Sequence, residues 1–230
     1  MSRLPLLRLL GLLPPVMLAA CSGPAPVAYR DLASAAQLQP VKDADASFQY
    51  LSPTAELARY PKLLIDPVAV YAGGDAQFGS VAAADQRAMA EYMQQKFAEA
   101  LGTRFQLVAA PEPGTLRVRL TLTGLETSTP VISTVTHLAP MGLALNTGLE
   151  ADGDNGTFFG SVTYAAELSD AMSGALLYAY VTRQTPDALD VTASFGSLAA
   201  AREGVRIGAA HLTQKLAASA AAPAPSVARQ

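Results

Sequence analysis

The chain has no tryptophan, one cysteine and two histidines in 230 residues. Charge is also scarce, at 15% of residues against a usual share of about 25%. Each scarcity closes off some chemistry. One thiol allows neither an intrachain disulfide nor a zinc site built on paired cysteines. No basic run occurs anywhere, and the formal net charge is −3. Nucleic acid, whose affinity comes largely from phosphate neutralisation, is therefore not an expected partner. No G-x-S-x-G, H-E-x-x-H, G-x-G-x-x-G or P-loop pattern is present. A hydrolase would need a converging acid, base and nucleophile that the sequence does not display. The expectation is a protein that is not an enzyme and carries no cofactor and no metal.

What is present begins at the N-terminus. Arg3 and Arg8 precede a short apolar run, "LLGLLPPVMLAA", which ends in small residues. These are the three parts of a secretory signal over residues 1–20. The run falls short of the roughly 20 apolar residues of a membrane span, and Pro14 and Pro15 interrupt it. The lone cysteine, Cys21, follows at once in "LAAC".

This order resembles the lipobox of bacterial lipoproteins. The resemblance implies diacylglycerol on the Cys21 sulfur, cleavage before it, and acylation of the new amine. Ser22, rather than Asp, follows the cysteine; by the same resemblance this implies the outer membrane, periplasmic side. Buried acyl carbons contribute about 0.8 kcal/mol each, so three chains would hold the protein essentially permanently. Cleavage removes 20 residues and leaves 210, without a free thiol. Loss of Arg3 and Arg8 takes the net charge from −3 to −5.

The remaining chain reads as tether, domain and tail. Residues 21–47 read as a lipid-anchored tether and loose N-terminal segment, starting with the Pro/Gly-rich "SGPAPV". Residues 48–217 read as one α+β domain, and the Ala/Pro-rich 218–230 as a disordered tail.

Within the domain, "KLLIDPVAV" reads as a strand in which Pro67 demands an edge or a bulge. Val81, Ala88, Met89, Tyr92, Met93, Phe97 and Leu101 fall at helical spacing, with Ser80 and Gly102 as caps. "FQLVA" reads as a strand. In "TLRVRLTLTGLE" Leu116, Val118, Leu120 and Leu122 alternate with polar residues, which predicts a half-buried strand. "TFFGSVTYAAELSDAMSGALLYAYVTRQ" reads as a hairpin, and Leu198, Ala201, Val205, Ala209, Leu212 and Leu216 as a closing helix. Gly204 and Gly208 either weaken that helix or let it approach the sheet closely. The expected order is β-α-β-β-(α)-β-β-α. It predicts a mostly antiparallel sheet of about five strands, with two long helices on one face.

These stretches, with "YLSPTAELARYPKLLIDPVAVY" the strongest, resemble a Gram-negative lipoprotein family catalogued as a domain of unknown function (family thirty-three-thirteen). The resemblance runs from about Tyr29 to Ala217. It implies a lipid-anchored periplasmic α+β domain without established enzymatic activity, and it supplies no catalytic residues.

Several features remain as candidate sites. Arg117 and Arg119 share the polar face of one strand. They are either a solvated pair or a surface for an acidic partner, a lipid head group or peptidoglycan. The apolar segment 131–149, with Leu138, Met141 and Leu145 at helical spacing, is either core or a contact surface. His137 and His211 read as boundary or solvated residues unless the fold pairs them. "EADGDNG" at 150–156 reads as a turn, since a calcium loop would need Glu where Thr163 stands. Asp66 inside an apolar strand needs a partner, or marks a strand end or bulge. The leading expectation is a non-catalytic binding or scaffold module of the cell envelope. Its partner would be an envelope protein or peptidoglycan. The alternative is a carrier of a small apolar or lipid-like ligand.

Overall fold

The computed structural model describes residues 25–42, 46–127, 160–186 and 198–221. Cys21, His137, Leu138, Met141, Leu145, the 150–156 turn, the bracketed middle helix and residues 222–230 lie outside the described residues.

The described strands are β1 (Gln39–Pro40), β2 (Phe48–Leu51), β3 (Lys62–Ile65), β4 (Ala69–Val70), β5 (Gln106–Leu107), β6 (Thr115–Leu125), β7 (Val162–Asp170) and β8 (Leu176–Gln184). A 3-10 turn, Leu57–Arg59, precedes β3. Helix α1 (Ala83–Gly102) separates β4 from β5, and helix α2 (Ala199–Ala221) follows β8.

The strands form one sheet in the order β1-β2-β8-β7-β6-β3-β5, with β4 also paired to β6. The α+β class, the two helices and the β7–β8 hairpin agree with the sequence reading. The strand count differs, and the mostly antiparallel character expected holds for only part of the sheet. Among the described residues the sheet has eight strands, and β3 pairs parallel with both β5 and β6, as β4 does with β6. The physical reason is α1. A chain that climbs a strand and returns through a 20-residue helix starts its next strand in the same direction. The added strands β1 and β2 are two and four residues long, too short for a periodicity to show, and the single strand expected over Lys62–Val70 is divided into β3 and β4.

Pro67 produces the anticipated bulge. Ile65 pairs with Val118 and Ala69 with Thr121, so three residues on one side face two on the other. The Asp66 N–H still bonds the Val118 carbonyl at 2.9 Å. The Val68 N–H turns instead to Gln94 Oε1 of α1 at 2.9 Å.

Alternation along β6 builds the core. Leu116, Val118, Leu120 and Leu122 are all buried, beneath Met89, Met93, Phe97 and Leu101 of α1 and Val205, Ala209, Leu212 and Leu216 of α2. Each buried leucine contributes about 1.5–3 kcal/mol. Tyr164 of β7 stands edge-on to Phe97, with ring centroids 5.5 Å apart. Helix α2 lies hard against the sheet because Gly204 and Gly208 lack side chains. A Cβ on Gly204 would sit 2.9 Å from the Gln184 carbonyl oxygen. Neither end of α1 is capped as expected: the N-cap is Ala82 without a side-chain bond, and the helix includes Gly102. The Thr103 hydroxyl bonds the Ala100 carbonyl at 2.7 Å just beyond.

The β7–β8 turn is held by Asp170. Its Oδ1 accepts from the Ser173 N–H at 2.8 Å, the Ser173 hydroxyl at 2.9 Å and the Met172 N–H at 3.1 Å. Its Oδ2 accepts from the Tyr60 hydroxyl at 2.9 Å. These donors, the Ser173 N–H foremost, lower the carboxyl from 3.8 to about 2. A depressed folded-state pKa contributes stability that is complete above the unfolded value and is lost as pH falls toward the folded one. The Asp170→Ala variant is therefore expected to lose about 1–2 kcal/mol at neutral pH. The gap to the parent protein should close between pH 4 and pH 2. Urea denaturation across that range checks it, and a pH-independent gap would contradict it.

Candidate functional site

The face of the sheet opposite the helices carries the residues singled out as chemistry-bearing. Odd-numbered positions of β6 point there, among them Arg117 and Arg119. On β7 the residue directly across from Arg119 is Glu167. Asp66, at the bulge after β3, reaches the same place. Arg117 Nε binds both Asp66 oxygens, at 2.9 and 2.8 Å. Arg119 Nε lies 3.6 Å from Asp66 Oδ2, and its Nη1 lies 3.8 Å from Glu167 Oε2. Two arginines and two carboxylates thus compensate one another on this face. The arginine side chains are 39% and 44% exposed, whereas Glu167 is 5% exposed. Asp66, flagged for its apolar surroundings, has the charged partner that its position requires.

Glu167 is covered by residues 28–38, a turn-rich strap within the segment read as loose. Its Oε1 accepts the Ser34 N–H at 2.7 Å. Tyr29, Leu32 and Leu38 of the strap are buried on Ala165, Ala179 and Val181, which forms a second core on the face opposite α1 and α2. Alanines at those sheet positions leave room for the covering chain. Tyr29 adopts a left-handed φ of 44°, which costs a bulky residue about 1–2 kcal/mol. It is held by its edge-on contact with Tyr71, centroids 5.2 Å apart, and by its hydroxyl, which donates to Gln77 Oε1 at 2.8 Å. The Tyr71 hydroxyl in turn accepts the Asp31 N–H at 3.2 Å and donates to Asp75 Oδ1 at 2.6 Å. The Tyr71 bond, foremost, lowers the Asp75 carboxyl; burial raises Tyr71.

A second polar group lies where β6, β7 and β8 end together. The buried Ser161 hydroxyl donates to Glu126 Oε2 and accepts from Arg183 Nε, both at 2.9 Å. Arg183 Nη2 also pairs with Glu126. Sequence reasoning missed this trio, because its members come from three strands and carry no local spacing. Its geometry ties three strand ends together. His211 is on an exposed position of α2. Among the described residues no cluster of three metal-ligating side chains occurs. No described helix is long and apolar enough to cross a membrane. A groove of about 330 Å³ runs between the bulge and α1, lined by Val68 and Val70 but also by Arg87, Glu91 and Gln94.

The match that decides the family covers residues 28–212, from the strap to the last turns of α2. The chain belongs to the family described as "Protein of unknown function (DUF3313)". No curated protein matches it. Among solved structures it is similar to a PelC dodecamer from Paraburkholderia phytofirmans, at 14% identity and a TM-score of 0.39, over 70% of this chain and 93% of that one. It is also similar to a DUF4136 family protein from Bacteroides thetaiotaomicron VPI-5482, at 12% identity and 0.36, over 77% and 98%. A candidate lipoprotein from Caulobacter crescentus CB15 aligns at 16% identity and 0.29, over 74% and 96%. At these scores none of the likenesses bears on function.

The DUF3313 match begins at the strap. The Glu167→Ala variant is expected to leave the Ser34 N–H buried without its acceptor, at a cost of about 1–3 kcal/mol. Trypsin should then cut after the exposed Arg30 several-fold faster than in the parent. An unchanged cleavage rate would show that Glu167 does not hold the strap.

Proposed function

We propose that this protein is a non-catalytic module of the cell envelope, held by lipid on Cys21 at the periplasmic side of the outer membrane, with a protein or peptidoglycan partner. The observation that carries the reading is the strap. The chain from residue 28 to residue 38 is an integral layer of the fold, so an anchor at Cys21 would position the whole domain. The charged groups support the same reading. Asp66, Arg117, Arg119 and Glu167 are engaged with one another, as are Glu126, Ser161 and Arg183. Such groups brace a surface and offer it to a partner. The half-exposed Arg117 and Arg119 are the recognition patch, suited to acidic groups on an envelope protein or glycan. The groove beside α1 does not favour a carrier of apolar ligands, since Arg87 and Glu91 form its wall.

Two experiments test this. In cells fed labelled palmitate, the parent protein is expected to carry label and sediment with outer membranes through high salt. The Cys21→Ser variant should lose both properties; a mature, unlabelled parent protein would refute the anchor. In crosslinking of intact envelopes, the Arg119→Gln variant is expected to lose most of the partner captured by the parent while keeping its thermal midpoint within a few degrees. Equal capture would remove the arginine patch from the function.

A further inference from the structure

The chain enters the fold at one end of the sheet. The Ala25 carbonyl accepts from Gln77 Nε2 at 2.8 Å. Gln77 is itself fixed: its N–H bonds the Thr123 carbonyl at 2.9 Å and its own carbonyl accepts the Leu125 N–H at 3.0 Å. It forms a bridge with Gly124, where β6 ends. Only residues 22–24 separate Cys21 from this tie. Four Cα steps span at most about 15 Å. The opposite end of the sheet is marked by the 170–175 turn, since Ala171 bonds Thr115 at the start of β6. Eleven residues of β6 put that end about 30 Å further away.

We propose that the Gln77 end of the sheet lies against the phospholipid headgroup layer and that the 170–175 turn points away from it. This rests on the lipid anchor at Cys21 proposed above. Tether length sets the arrangement. Charge does not, because exposed Arg30 and Asp31 offset each other there and the Asp75 carboxylate is already hydrogen-bonded to Tyr71 and to the Arg30 N–H. The consequence is directional. The start of β6 lies far from the bilayer and its end close to it, so Arg119 and Arg117 stand about 20–25 Å further out than Leu125. The face opposite α1 and α2 then rises from the membrane and presents its arginines to the periplasm.

The test uses the full chain, processed in a Gram-negative host and reconstituted into phosphatidylethanolamine/phosphatidylglycerol vesicles with a headgroup-attached quencher. A fluorophore is placed at Gly74→Cys or Met172→Cys. A Cβ at Gly74 meets open space, and Met172 is 62% exposed, so both variants keep the fold. Quenching is expected to be several-fold stronger at 74 than at 172, and insensitive to salt. Inserting about 20 Gly/Ser residues before Ala25, with a root-mean-square reach of about 25 Å, should reduce quenching at 74 to the level at 172. Equal quenching of the two positions in lipidated, vesicle-bound protein would overturn the orientation alone; a difference that survives the insertion would overturn tether length as its cause. Protein whose intact mass lacks the lipid and which does not float with vesicles would overturn the anchor, and this proposal with it.

Discussion

Everything in the fold leans on β6. It pairs antiparallel with β7 on one edge and parallel with β3 and then β4 on the other. Its side chains alternate without a break from Leu116 to Leu122, so one strand supplies the floor of the helical core and the arginines of the opposite face. A one-residue slip would exchange the two sets, driving Arg117 and Arg119 under α1 and α2. The large burial of Leu116, Val118, Leu120 and Leu122 is what forbids that slip.

The face opposite α1 and α2 poses a different problem. β7 and β8 present Ala165, Ala179 and Val181 there, apolar but shallow, and no described helix covers them. The strap does so, and its attachment is polar as well as apolar. Buried Glu167 answers the Ser34 N–H from beneath, while Tyr29 and Tyr71 interlock from the side. A left-handed tyrosine persists only because this packing over-determines it. The sheet is therefore covered over part of both faces, and the open remainder is the strip where Asp66 meets the two arginines.

That distribution bears on function. Asp66, Arg117, Arg119 and Glu167 are arranged as mutual partners across strands and a bulge, which stiffens the surface they occupy. The strap also shortens the tether. Of the segment read as a flexible lead into the domain, the part from Tyr29 to Leu38 is fold, so the reach between an acylated Cys21 and the body is a few residues. On the proposed anchor, such a protein would sit close to the membrane with a defined face outward.

Much of this was legible in the residues. The amphipathic stripe of α1, the alternation of β6, the hairpin turn at Asp170–Gly174, the bulge demanded by Pro67 and the close approach of α2 through its glycines are local patterns, each set by a period or by one residue's stereochemistry. Parallel pairing of β3 and β4 with β6 was not legible, because strand direction depends on where a helix returns the chain. The short strands β1 and β2 were invisible for want of length, and β4 was merged with β3 into one strand. The strap was hidden because "YRDLASAAQLQP" has no period; its residues are buried only when β7 and β8 offer a face of alanines. By itself the sequence determined which faces are apolar and the one thiol available for an anchor. Tertiary structure alone decided that Asp66 meets Arg117, that Glu167 meets Ser34, and that Glu126, Ser161 and Arg183 meet at all, because partners 22 to 133 residues apart are joined only by folding.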